Sequence, residues 1–145
     1  MSRHMGIDVG TRRIGVAFSD VDATIATAHS TIEADDVDAA AARAAELAGD
    51  RDVETVVVGW PVRMDGSEGR SVEMVQRFLE AFRRACDECD VEVDVERWDE
   101  RLTSVEAESL LIDADMSRSR RKGVVDRVAA ARILQNYLDA RDGDG

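Results

Sequence analysis

The chain has 145 residues, 44% of them hydrophobic, with 31 acidic side chains against 19 basic ones and a formal net charge of −12. That length suits one domain, residues 1–145, with a single core. No run of about 18 apolar residues is present, which argues against a membrane-spanning helix, and the opening Met1-Ser2-Arg3-His4-Met5 is too short and polar for a signal peptide, so the expected location is the cytoplasm.

Met5 to Val9 reads as a short strand, Gly10-Thr11-Arg12-Arg13 as a tight turn, and Ile14 to Ser19 as a second strand paired with the first. Thr24 to Ile32 alternates loosely and completes an antiparallel meander. Ala39 to Leu47 is an alanine-rich helix that Asp36 or Asp38 can cap. Val56-Val57-Val58, inside the segment Glu54 to Trp60, is a continuous apolar run that fits a strand buried on both faces. Arg63 to Arg70 is polar and Gly-containing, hence a loop. Val72, Val75, Leu79, Phe82 and Cys86 then recur every three or four residues, the stripe of an amphipathic helix over Ser71 to Cys86.

Val91, Val93 and Val95 alternate with acids and predict a strand running toward Trp98. Thr103 and Glu106 form a capping box for a helix ending near Asp115. Ser117 to Lys122 reads as a basic loop. The last helix is expected from about Val124 to Leu138, with a frayed tail over Arg141 to Gly145. A meander followed by alternating β and α segments predicts an α/β fold, a mixed five-stranded sheet flanked by helices.

The cysteines, Cys86 and Cys89, are spaced C-x-x-C but lack the second ligand pair that a structural zinc site needs. They close a helical segment instead of opening one, so they read as small residues at a helix end. His4 and His29 fall in no ligand pattern.

A charge of −12 runs against the basic footprint of most nucleic-acid enzymes. Of 19 basic residues all but Lys122 are arginine. Such a carboxylate-rich, lysine-poor surface suits high internal salt, where screening is short-ranged; an acidic protein from a GC-rich genome is the plainer explanation. What bears on function is where the arginines stand.

Carboxylates at three places draw attention. Asp8 lies between Ile7 and Val9 just before the glycine turn, where a carboxylate is costly unless paired or metal-bound; a turn-capping aspartate explains it equally well. Asp99 and Glu100 follow a strand, the end at which α/β folds place functional groups, although beside Arg97 and Arg101 they also read as a solvated charged pair. Asp126 precedes Ala130, Ile133 and Tyr137 at spacings that share one helix face, the core-facing one; the helix dipole would explain an acid in the first turn but not its face. Carboxylates converging from three elements repel one another unless hard cations neutralise them, and Mg²⁺ or Mn²⁺ fits such oxygen ligands. Arg12 and Arg13 follow Asp8, Arg101 follows Glu100, and Arg118, Arg120, Arg121 and Lys122 precede Asp126, which gives a local rim for phosphates. The alternative for the last group is a solvated charged loop.

Four blocks resemble the YqgF/RuvX family, described as Holliday junction resolvases and as pre-16S ribosomal RNA nucleases. They are Gly6-Ile7-Asp8-Val9-Gly10-Thr11-Arg12-Arg13-Ile14-Gly15-Val16-Ala17; Val57-Val58-Gly59-Trp60-Pro61 with Met64-Asp65-Gly66-Ser67-Glu68-Gly69; Asp99-Glu100-Arg101-Leu102-Thr103 with Glu106-Ala107; and Lys122-Gly123 through Asp126 with Ala129-Ala130 and Ile133-Leu134. The resemblance implies a ribonuclease H-like fold, divalent-metal phosphodiester hydrolysis with one or two Mg²⁺ or Mn²⁺ ions, and acidic site residues at Asp8, Glu100 and Asp126. It departs from the family where Gly-Leu-Pro-Leu-Asn is usual and Gly59-Trp60-Pro61-Val62-Arg63 stands here. Precursor 16S rRNA, branched DNA and the ribosome remain open as partners, as do a monomer and a homodimer. Two rival readings remain: a non-catalytic RNA- or ribosome-binding factor, and a phosphate loop like that of actin and the sugar kinases, for which 145 residues are too few.

Overall fold

Strand β1 (Arg3–Val9) is the middle of a five-stranded sheet ordered β3-β2-β1-β4-β5. The computed structural model describes residues 3–61, 70–99 and 118–144, with side chains over 3–61, 72–99 and 128–141. β2 (Arg13–Ser19) pairs antiparallel with β1, and β3 (Ala26–Glu33) antiparallel with β2. β4 (Val53–Trp60) and β5 (Asp94–Asp99) add parallel strands on the other side of β1. Helix α1 (Val37–Asp50) makes the crossover into β4, and α2 (Arg70–Glu88) lies between β4 and β5 in the chain. Helix α3 (Arg118–Asp144) follows.

Residue alternation sorts the two faces. Met5, Ile7, Ile14, Val16, Phe18, Val56, Val58 and Trp60 face α1 and α2 in the larger core. Ala17 and Val57 face α3, with Ala130, Ile133, Leu134 and Leu138. Five of the seven alanines of α1, Ala40, Ala41, Ala44, Ala45 and Ala48, are buried, and Asp36 caps that helix by accepting from the backbone N–H groups of Asp38 and Ala39. On α2 the expected stripe is buried, and Phe78 joins it, stacked on Phe82 with centroids 6.0 Å apart. Asp20 closes the β2–β3 turn. Hydrogen bonds from the backbone of Ile25 and from the hydroxyl and backbone of Thr24 hold its carboxyl down to about 2.

The α/β class, the mixed sheet and its five strands agree with the sequence reading. Several boundaries do not. β5 starts at Asp94, because that is where pairing with Thr55 begins, so Val91 and Val93 precede it. The basic loop is corrected too: Arg118, Arg120, Arg121 and Lys122 are the opening turns of α3, which continues through Gly123 and on to Asp144, past the expected frayed tail. Ser117 and the helix expected over Thr103 to Asp115 lie outside the described residues.

Candidate functional site

Asp8 stands at the C-terminal end of the central strand, half-buried. It shares strand parity with His4 and Gly6, so it lies on the face that α3 covers. α3 runs antiparallel to β1 across that face. Near its C-terminus, Arg141 Nη1 lies 3.0 Å from His4 Nε2, and the Tyr137 and His4 rings are 5.9 Å apart. One to two turns earlier, Ala130 and Leu134 press on Gly6 so closely that a Cβ there would stand 2.7 Å from the Ala130 carbonyl oxygen. From Gly6 to Asp8 the strand rises about 6.6 Å, and from Ala130 to Asp126 the helix rises about 6 Å. Those rises bring the backbone of Asp126 toward the end of the sheet at which Asp8 stands.

Asp126 is the ninth residue of α3, counting from Arg118. The helix-dipole explanation of an acid in the first turn falls with that count, since the dipole's influence fades within one turn.

The turn after Asp8 is set by Gly10, whose backbone N–H donates to the Arg13 carbonyl at 2.9 Å; a Cβ on Gly10 would meet that oxygen at 2.6 Å. The turn keeps exposed Arg12 and half-buried Arg13 beside the end of β1. β5 ends at the same edge: Trp98 is in register with Gly59, and Asp99 with Trp60. Trp98 packs edge-on against Tyr137 of α3 at 6.2 Å, while Arg97 and Asp99 take the opposite parity, toward α1 and α2. Asp99 and Asp8 thus occupy opposite faces of the sheet. Glu100 and Arg101 lie outside the described residues. Among the described residues no three potential metal ligands come together, since Asp8 is the one member of the expected triad whose side chain is described. Trp98 Nε1 and Arg132 Nε are buried without an acceptor among those residues.

Cys86 behaves as a structural residue, and Cys89 is exposed. Cys86 is buried in the α2 stripe, and burial pushes its thiol up to about 11, away from reactivity. Sequence reasoning passed over Arg97, which stacks on Trp60 with its guanidinium carbon 4.1 Å from the ring centroid. The unusual tryptophan at the family's leucine position was the available signal.

A family model described as "RuvX: Holliday junction resolvase" matches residues 2–140. The chain belongs to this family. Membership places it among nucleases. A protein of Endomicrobium trichonymphae named "Putative pre-16S rRNA nuclease" is 41% identical over 145 residues, 99% of this chain and 100% of that one. Relatives of the same name from Chloroflexus aggregans and Myxococcus xanthus are 46% and 43% identical, covering 94% and 95% of this chain and 93% and 88% of theirs. Among solved structures, RuvC of T. thermophilus in complex with a Holliday junction substrate aligns with a TM-score of 0.59 at 18% identity, covering 99% of this chain and 97% of that one. The fowlpox virus Holliday junction resolvase aligns at 0.52 and 11%, covering 95% and 99%. Those likenesses establish the ribonuclease H-like resolvase fold. Among the described residues no helix is long and apolar enough to cross a membrane.

Proposed function

We propose that this chain is a single-domain cytoplasmic nuclease that hydrolyses phosphodiester bonds at the 5′ end of precursor 16S ribosomal RNA, with Asp8, Glu100 and Asp126 as its catalytic carboxylates. The observation that supports the chemistry is the position of Asp8, half-buried at the end of the central strand on the face that α3 covers. Asp99 lies on the sheet face opposite Asp8, which leaves Glu100 as the third member. The rRNA substrate rests on the names of relatives 41–46% identical over nearly the whole chain.

Oxygen donors alone, with no thiolate or imidazole in the set, suit Mg²⁺ or Mn²⁺. Asp8, Glu100 and Asp126 would hold one or two such ions, which would supply charge neutralisation and activation of the attacking water. The protein's part is to hold the carboxylates on separate rigid elements, β1 and α3 among them, and to bring the strand's phosphates to them. Arg12, Arg13 and Arg101 flank the acids for that purpose, and Arg118, Arg120, Arg121 and Lys122 do so from the opening turns of α3.

Replacing Arg118, Arg120 and Arg121 together with Ala is expected to raise KM and to lower the log–log salt slope of binding, with kcat at saturation little changed. The slope should fall by about one unit for each phosphate that is no longer neutralised. A collapse of kcat at constant KM, measured under the same conditions, would mean that one of these arginines stabilises the transition state.

The family's description as a Holliday junction resolvase favours a second substrate, the four-way DNA junction. Side-by-side cleavage of a precursor 16S fragment and a synthetic junction, in Mg²⁺ and in Mn²⁺ across salt concentrations, decides between them. Cutting of the RNA fragment is expected. Cutting of the junction alone would transfer the assignment to branched DNA, and binding without cutting would make the chain an RNA- or ribosome-binding factor.

A further inference from the structure

We infer that the pocket between the end of α1 and strand β3, lined by Arg3, Phe18, Thr27, His29 and Arg51, is a binding site for a phosphate group. It lies at the end of the sheet opposite Asp8 and on the face that α1 covers, so it stands apart from the candidate catalytic site. Its volume is about 360 Å³, and pockets that hold small ligands run from about 300 to 1,000 Å³.

A bulge shapes one wall. Ala28 pairs with Ala17 and Ser30 with Val16, so His29 is an extra residue with no partner on β2. A bulge re-aims the side chain it carries. This one sets the His29 ring edge-on to Phe18, with centroids 5.0 Å apart. Arg51 supplies the facing wall. It caps the C-terminus of α1, its backbone N–H donating to the Leu47 carbonyl, and its own carbonyl accepts from Arg3 Nη1 at 3.1 Å. From that fixed backbone its guanidinium lies over the Phe18 ring, the central carbon 4.5 Å from the centroid, with Nη2 2.8 Å from His29 Nε2.

That contact fixes the imidazole. A guanidinium only donates, so Nε2 accepts and is unprotonated. Nδ1 then carries the hydrogen and donates to Ser30 Oγ at 2.8 Å. Burial lowers the pKa of His29, and the charges of Arg51 and Arg43 lower it further. On a chain of net charge −12, this corner is locally positive. Among the described residues the ion pairs are Arg43–Glu46 and Arg84–Asp38, so neither Arg3 nor Arg51 is neutralised by a carboxylate there. Asp20 also lines the pocket, but its oxygens accept from Thr24 and Ile25 in the β2–β3 turn. Each guanidinium has five donors, and Arg3 and Arg51 each use one in the contacts above. The donors that remain suit phosphate oxygens, which take them in pairs. Arginines that merely tied α1 to the sheet would pack the same way; ligand titrations separate the two roles.

The experiment follows the imidazole resonances of His29 by NMR in full-length wild type, Arg51→Gln and Arg3→Gln. Inorganic phosphate, a nucleoside monophosphate and the precursor 16S fragment are added in turn without divalent metal. KCl at matched ionic strength is the blank, His4, buried on the other face, is the internal reference, and a thermal melt accompanies each protein. Phosphate is expected to move the His29 signal saturably, with a Kd of about 1 mM, and to raise the His29 pKa, because a bound anion favours the imidazolium. Each variant should weaken binding about tenfold, as loss of one charge-assisted hydrogen bond does. Arg3→Gln leaves the Arg51–His29 contact in place, so it tests the site even where Arg51→Gln unfolds. Saturation by phosphate and the nucleotide upholds the site as one for small ligands, and saturation by the RNA fragment alone upholds it as a seat for a strand's backbone. A response to all three no larger than that to KCl, or unchanged affinity in the folded variants, would overturn the inference and leave Arg3 and Arg51 as packing residues.

Discussion

Asp8→Asn is expected to reduce cleavage about a thousandfold, the loss of several kcal/mol of transition-state stabilisation, while the protein stays folded. Asn has the shape of Asp without its charge, so packing at the half-buried end of β1 is preserved. Removing one member of a mutually repelling carboxylate set leaves stability unchanged or raises it. Metal linkage gives a second readout: Mn²⁺ should raise the melting temperature of wild type by binding the folded state, and should do so much less in the variant. Cleavage at the wild-type rate in Asp8→Asn would remove Asp8 from the metal site.

Gly6→Ala is expected to cost both stability and activity. A Cβ on Gly6 would stand 2.7 Å from the carbonyl oxygen of Ala130 and 2.8 Å from the Cβ of Leu134. Both atoms are fixed to the helix backbone, and β1 is held by strands on both sides, so α3 must give way. Overpacking of this kind costs about 1–3 kcal/mol. The same displacement moves Asp126 relative to Asp8, and a shift of about 1 Å in a reacting constellation costs on the order of a hundredfold in kcat. Val56→Ala is the control, since Val56 is fully buried on the opposite face of the sheet. It should destabilise the fold without lowering kcat per folded molecule. Equal loss of kcat in both variants would show that stability, not the placement of α3, sets the activity.

The strand bearing Asp8 was legible because an acid inside an apolar run, next to a glycine turn, conflicts with its surroundings. The Val56–Val58 run announced a strand covered on both sides, and the stripe from Val72 to Cys86 announced α2, because burial there follows the period of the element. Legibility failed where tertiary contacts overrule local pattern. Val91, Val93 and Val95 alternate like a strand from the start, yet the ladder begins at Asp94, where β4 offers a partner. The cations from Arg118 to Lys122 looked like a loop because two serines and Gly123 surround them. A glycine costs about 1 kcal/mol in a helix interior, and the long buried stripe of α3 from Ala130 to Leu138 offsets that. Within the candidate site, Asp8 and Asp126 could be singled out by their offsets alone. The Arg97–Trp60 stack, on the opposite face, could not, because it joins two strands far apart in sequence and depends on their register.

The crossing of α3 over Gly6 also acts as a fulcrum. Asp126 is four residues from Ala130, a lever arm of about 6 Å, and Arg118 is twelve residues away, an arm of about 18 Å. Rocking α3 by about 5° about that point moves the level of Asp126 by about 0.5 Å and the level of Arg118 by about 1.6 Å. For the same rocking, the first turn of α3 therefore swings about three times as far as the level of Asp126. On the nuclease reading proposed above, cations carried on those opening turns would adapt to strands of differing width while the level of Asp126 moved little.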